Sequence, residues 1–129
     1  MRLLDLDSLI RLTQMLGAGP VKDPGLLQSA ALRPSTTVFG EDAYPTIELK
    51  AASLLHSIVK NHPLVDGNKR LGWLACVVTL DLNGLDPSLS HDGAFDLVME
   101  VAAGDLAIAE IARRLQAEPR ADGGAPSGA

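Results

Sequence analysis

The stretch from His62 to Leu82 reads HPLVDGNKRLGWLACVVTLDL and joins a short polar loop directly to the most apolar run of the chain. From Leu71 to Leu82 the only polar side chains are Thr79 and Asp81, so at helical period apolar residues occupy every face rather than one stripe. A helix of that kind is central and buried. Its start has the opposite character, carrying Asp66, Asn68, Lys69 and Arg70 with His62 just upstream. A helix start presents unpaired N–H groups and a partial positive charge, which together make an anion site. Lys69 and Arg70 stand against that dipole, which favours anions and disfavours cations there. Two cations so placed imply that phosphate completes the balance.

The neighbouring residues shape the loop. Pro63 disfavours the helical region for the residue before it, which predicts an extended His62. Asp66-Gly67 is a turn signal, and Gly67 can take positive φ and let backbone N–H groups approach a ligand closely. Asp66 is the expected cap of the helix that follows. Singly, each feature has an ordinary reading: His before Pro as a helix-end polar group, Asp-Gly-Asn as a turn, Lys-Arg as a solvated face.

In this order they resemble the signature of the Fic/Doc family, His-Pro-Phe-x-Asp/Glu-Gly-Asn-Gly/Lys-Arg. HPLVDGNKR fits it at every position but Leu64, where an apolar anchor replaces Phe. From about Asp5 to Leu115 the order and length of segments resemble the Doc-like branch, small toxins of toxin–antitoxin pairs. Lys69 stands where AMP-transferring members carry Gly, and Trp73 where they carry a second Arg. Both features resemble Doc-like members, which implies transfer of the γ-phosphate of ATP to a protein hydroxyl rather than transfer of AMP.

Such transfer needs a base for the nucleophile's proton, cations and oriented N–H dipoles for the polyphosphate, and a carboxylate for magnesium. His62 is the candidate base, and Asp66 the candidate Mg2+ ligand. Gly67, Asn68, Lys69 and Arg70 form the expected ATP cradle, with Asn68 orienting phosphate oxygens or the loop itself. Arg70 offers a planar fork and Lys69 a mobile point charge.

The rest of the chain reads as an all-α domain of about six helices around the central one. Its 129 residues make one domain, and 47% of them are apolar with few aromatics, so the core is Leu, Ile, Val and Ala. A formal charge of −5 argues against nucleic-acid binding by this chain alone. The single Cys76 permits neither a disulfide framework nor a zinc set and reads as a small buried hydrophobe. No run has transmembrane length and none resembles a signal peptide, so a cytoplasmic location and no membrane partner are expected.

A first amphipathic helix is expected over Leu6 to Leu16 with Asp7 as its cap, and a second from the Asp23-Pro24 start through Ala31. Thr36 to Gly40 is the only β-leaning run, too short and isolated for a sheet by its residues. On those grounds it is a surface loop, whereas the resemblance implies a flap that pairs with a target peptide. Thr46 opens a helix that delivers His62 to the loop. Further helices are expected at about His91 to Ala103 and Ala107 to Leu115, with His56 and His91 outside the site. Residues 1–116 then form one Fic/Doc-like domain, and 117–129 a disordered tail.

The resemblance also concerns control. Many Fic proteins silence themselves through a helix whose Glu precedes Gly or Asn, and no Glu here does so. It therefore implies a cognate antitoxin as partner, and elongation factor Tu as target. Three classes stay open: a Doc-like kinase, a Fic-type AMP transferase, and an inactive antitoxin-binding module.

Overall fold

The structure, a computed structural model, describes residues 1–120. Six α-helices, a 3-10 turn (Arg33–Ser35) and two short two-stranded pairs make up the regular structure of these residues. The helices are α1 (Leu6–Met15), α2 (Pro24–Leu32), α3 (Ile47–Asn61), α4 (Asn68–Leu82), α5 (His91–Ala103) and α6 (Ile108–Leu115). The expected all-α bundle is therefore observed.

Caps explain most boundaries. Asp23 accepts from the Leu26 N–H with Pro24 at the first helical position, and Thr46 accepts from the Leu49 N–H. At α1 the cap is Asp5 rather than the expected Asp7, and its carboxylate takes both the Ser8 N–H and hydroxyl. Asp5 is one turn ahead of Ser8; Asp7, already inside the helix, is too close.

The most enclosed helix is α3 rather than α4. It packs on α2, α4, α5 and α6 and on the 3-10 turn Arg33–Ser35. Its opposite faces enter two separate cores: Leu54 and Ile58 join Leu9, Leu27 and Leu71, while Leu55 and Val59 join Leu80, Leu97 and Ile111. α4 likewise gives Leu71 and Ala75 to one core and Cys76 and Leu80 to the other, but its remaining faces are only half-buried. Burial pushes the Cys76 thiol up to about 12, so it behaves as the small hydrophobe expected. Gly72 lets the two helices approach, since a Cβ there would lie 2.7 Å from Val59 Cγ2 and 3.1 Å from Leu55 Cδ1.

Polar residues on α3 are buried because each has a partner inside. Lys50 Nζ donates to the Pro34 carbonyl at 2.9 Å and lies 3.6 Å from Asp42. Ser53 donates to the Lys50 carbonyl, and Ser57 accepts from Arg33 at 2.9 Å. Arg33 also meets His56 Nδ1 at 3.1 Å and the Tyr44 hydroxyl at 3.1 Å. Because guanidinium only donates, His56 must accept through Nδ1 and is neutral. Burial first, then the charges of Arg33 and Lys60, hold its pKa below the usual histidine value.

The β-leaning run does form a sheet, contrary to expectation. Thr37–Val38 (β1) pairs antiparallel with Glu41–Asp42 (β2), whose acidic side chains gave no strand signal. Phe39 and Gly40 connect them with φ of 51° and 81°, the doubly positive pattern of a type I′ hairpin turn. Phe39 projects fully into solvent.

The expected tail also begins too early at residue 117. Ala117 packs on the second core, and Leu85–Asp86 (β3) pairs with Glu118–Pro119 (β4). The Arg120 N–H donates to the Gly84 carbonyl, and its side chain holds the Asp81 carboxylate at 2.6 Å. Residues 121–129 of that expected tail lie outside the described residues.

Candidate functional site at the start of α4

His62 ends α3 and Gly67 precedes α4, so the close α3–α4 contact brings the loop's two ends together. His62 is not extended: it takes φ 52° and ψ 60°, and its N–H still bonds the Ile58 carbonyl at 3.3 Å. Pro63 forbids a further helical turn, and the helix closes through a left-handed residue instead. That conformation costs a non-glycine residue energy and turns the exposed imidazole out of the helix line.

The loop is clamped from below by main-chain bonds to residues 19–23. The N–H groups of Lys22 and Asp23 donate to the Pro63 carbonyl, Val65 N–H donates to Pro20, and Gly19 N–H donates to Asp66 at 2.9 Å. Leu64 bridges Val21 and is fully buried, as expected of the anchor in place of Phe. Sequence reading missed this clamp altogether, because no side chain in it advertises the pairing.

Asp66 does not cap α4. The cap position belongs to Gly67 at φ 93°, with no side-chain hydrogen bond, and Asp66 instead lies 3.5 Å from Arg70. The first intrahelical bond runs from Leu71 N–H to the Gly67 carbonyl, so the N–H groups of Asn68, Lys69 and Arg70 stay unspent. Asn68 is committed to the loop: its amide bonds both the Leu64 N–H and the Leu64 carbonyl at 2.9 Å. Of the two roles expected for Asn68, the geometry displays the loop-holding one. Arg70 reaches back to the Leu16 carbonyl at 3.4 Å, so the end of α1 helps to aim it.

His62, Val65 and residues 66–70 enclose a polar cavity of about 290 Å³. All six candidate residues therefore line one space. Its donors are N–H groups, guanidinium and ammonium, the right set for a polyphosphate. No group of three or more His, Cys, Asp and Glu converges among the described residues. A lone exposed carboxylate such as Asp66 suits magnesium, which keeps several waters and borrows phosphate oxygens rather than needing a protein cage.

Beside this cavity lies a larger apolar groove of about 430 Å³ between α4 and α5. Lys69 and Arg70 line both spaces, and Trp73, Phe95 and Met99 form the groove's apolar walls. His91, expected to stand apart, opens onto this groove.

Residues 3–80 match the family described as Fic/DOC. The chain belongs to the Fic/DOC family. Within it, Toxin Doc of Mycolicibacterium smegmatis is 48% identical over 97 residues, which cover 74% of this chain and 75% of that protein. The matched region of the family includes the whole His62–Arg70 loop and most of α4. No helix among the described residues is long and apolar enough to cross a membrane.

Proposed function

We propose that this protein is a Doc-like toxin that transfers the γ-phosphate of ATP to a hydroxyl of a protein target and is held in check by a cognate antitoxin. The observation that carries the reading is the meeting of His62, the unspent N–H groups of α4, Lys69 and Arg70 around one polar cavity. The identity to a protein named Toxin Doc supports the toxin assignment.

His62 accepts the proton of the target hydroxyl as its oxygen attacks the γ-phosphorus. The bond from that phosphorus to the β–γ bridging oxygen breaks, and ADP departs with the electron pair. The N–H groups and the two cations stabilise charge on the phosphoryl oxygens, and they are already oriented before reaction. Magnesium held by Asp66 supplies further charge neutralisation when bound. The exposed β1–β2 hairpin offers unpaired backbone groups to an extended target segment.

Kinase rather than AMP transferase follows from the two altered positions. Trp73 has no charge for a phosphate, and Lys69 adds a side chain where an open loop is needed for the other orientation. Purified protein incubated with elongation factor Tu, magnesium and ATP should label the target from γ-labelled and not α-labelled ATP. Label from the α position would establish AMP transfer instead. No label from either, with the fold intact, would leave an inactive antitoxin-binding module or a different target.

A further inference from the structure

We infer that the cavity between α2, the end of α3 and the start of the β1–β2 hairpin is a subsite for an acidic side chain of the target segment, a carboxylate a few residues from the hydroxyl to be modified. The inference rests on the proposed reading of His62 as the base for that hydroxyl and adds a feature of the substrate. The cavity encloses about 330 Å³ and is lined by Ser29, Leu32, Arg33, Thr36, Ser57 and Asn61. Asn61 immediately precedes His62, and Thr36 immediately precedes β1. The cavity thus adjoins both the proposed base and the hairpin proposed to receive the target. An extended segment advances about 3.3 Å per residue, so a side chain entering here stands within a few residues of one presented to His62.

Arg33 decides the chemistry. Its guanidinium is half-buried and rests on neutral groups: Nε donates to the Tyr44 hydroxyl, and Nη1 donates to His56 Nδ1 and Ser57 Oγ. The other cations drawn into the fold differ, since Lys50, Arg114 and Arg120 each meet a carboxylate. No carboxylate among the described residues pairs with Arg33, and no acidic side chain lines the cavity. A charge withdrawn from water is costly unless an opposite charge meets it, so this cation still lacks its counter-ion. Its Nη2 carries two N–H groups with no partner among the described residues, and the Ser57 hydroxyl, already accepting from Arg33, keeps its own proton to donate. A planar fork with a hydroxyl beside it matches the two oxygens of a carboxylate. Leu32 supplies an apolar wall for the methylenes of an Asp or Glu side chain.

The test is a library of peptides with one central Thr and degenerate flanks. Full-length protein receives it with magnesium and γ-labelled ATP, and the labelled peptides are sequenced; in parallel, peptides retained on immobilised protein are sequenced to read binding without transfer. Asp and Glu should be enriched by about tenfold at one position near the Thr. Ser29 is exposed and lies one turn before Arg33, both on the cavity wall. Ser29→Asp supplies the missing counter-ion from within and should abolish the preference at that position, with transfer to peptides lacking an acid unchanged. Ser29→Asn, of the same shape without the charge, should keep the preference. Label with no acidic preference, a preference that survives Ser29→Asp, or one lost equally in Ser29→Asn would overturn the subsite and leave the kinase reading standing. Acid-selective retention without label would support the subsite and remove the kinase reading, and neither retention nor label would overturn both.

Discussion

Gly67 and Ala18 approach so closely that a Cβ added to Gly67 would lie 2.5 Å from the Cβ of Ala18. The loop's turn is thus constrained twice, by its φ of 93° and by the segment beneath it. Gly67→Ala should destabilise the protein by about 1–3 kcal/mol and disturb the cradle. Ala18→Gly in the same chain removes the steric part but not the backbone part, so it should recover some of the loss. Chemical denaturation of the four members of this cycle measures the coupling; strict additivity would show that the contact is not felt.

His62 occupies a backbone region that favours glycine. His62→Gly should therefore raise stability by about 0.5–1 kcal/mol while lowering phosphate transfer by roughly 10²-fold or more. His62→Ala should lose transfer without the gain in stability. Melting curves and transfer rates on both variants separate the two effects, and a fully active His62→Ala protein would remove the proposed base.

His56 is neutral in the folded state, with its pKa held below the ordinary histidine value of 6.5 by burial and the charges of Arg33 and Lys60. The unfolded chain binds this proton more readily, so the contribution of His56 is fully present above about pH 6.5 and diminishes as pH falls towards the lower folded value. Tm should drop more between pH 7.5 and pH 5.5 in the wild type than in His56→Gln. Equal slopes would show that the Arg33 contact tolerates imidazolium.

Residues 117–120 should contribute to stability, because Ala117 packs on the core and Arg120 holds the Asp81 carboxylate and the Gly84 carbonyl. A chain stopped after Gln116 should melt several degrees below the full protein. Arg120→Ala should account for part of that loss, and unchanged melting of the shortened chain would mean that the β3–β4 pair is marginal.

How far the sequence discloses this structure depends on whether the signal is local. Helix positions followed from apolar period and from Thr46 and Asp23, whose caps act within three residues. The loop's residues converged as their order suggested, since a nine-residue segment has little freedom once both ends enter packed helices. The central place of α3 was hidden, because Lys50, Ser53 and Ser57 look solvent-facing until Pro34 and Arg33 are seen to meet them. His91 shows no company in the sequence for a similar reason. Only the packing of α5 on α4 gives it Lys69 and Trp73 as company. The 117–120 segment has almost no apolar content, and its pairing depends on β3, a partner far away in the chain.

The clamp under the loop is written in main-chain atoms, with residues 19–23 lending N–H and carbonyl groups rather than side chains. A comprehensive substitution map scored for activity should consequently be quiet at Lys22, whose exposed side chain takes no part, and sharply intolerant at Gly67, which lies against Ala18. Proline at Lys22 would be the exception, since it deletes one of the two N–H groups that the Pro63 carbonyl receives. Within the clamp, inactivating changes that arise under selection would then cluster by backbone chemistry, as prolines in residues 19–23 and bulky residues at Gly67, apart from those at the proposed catalytic side chains such as His62.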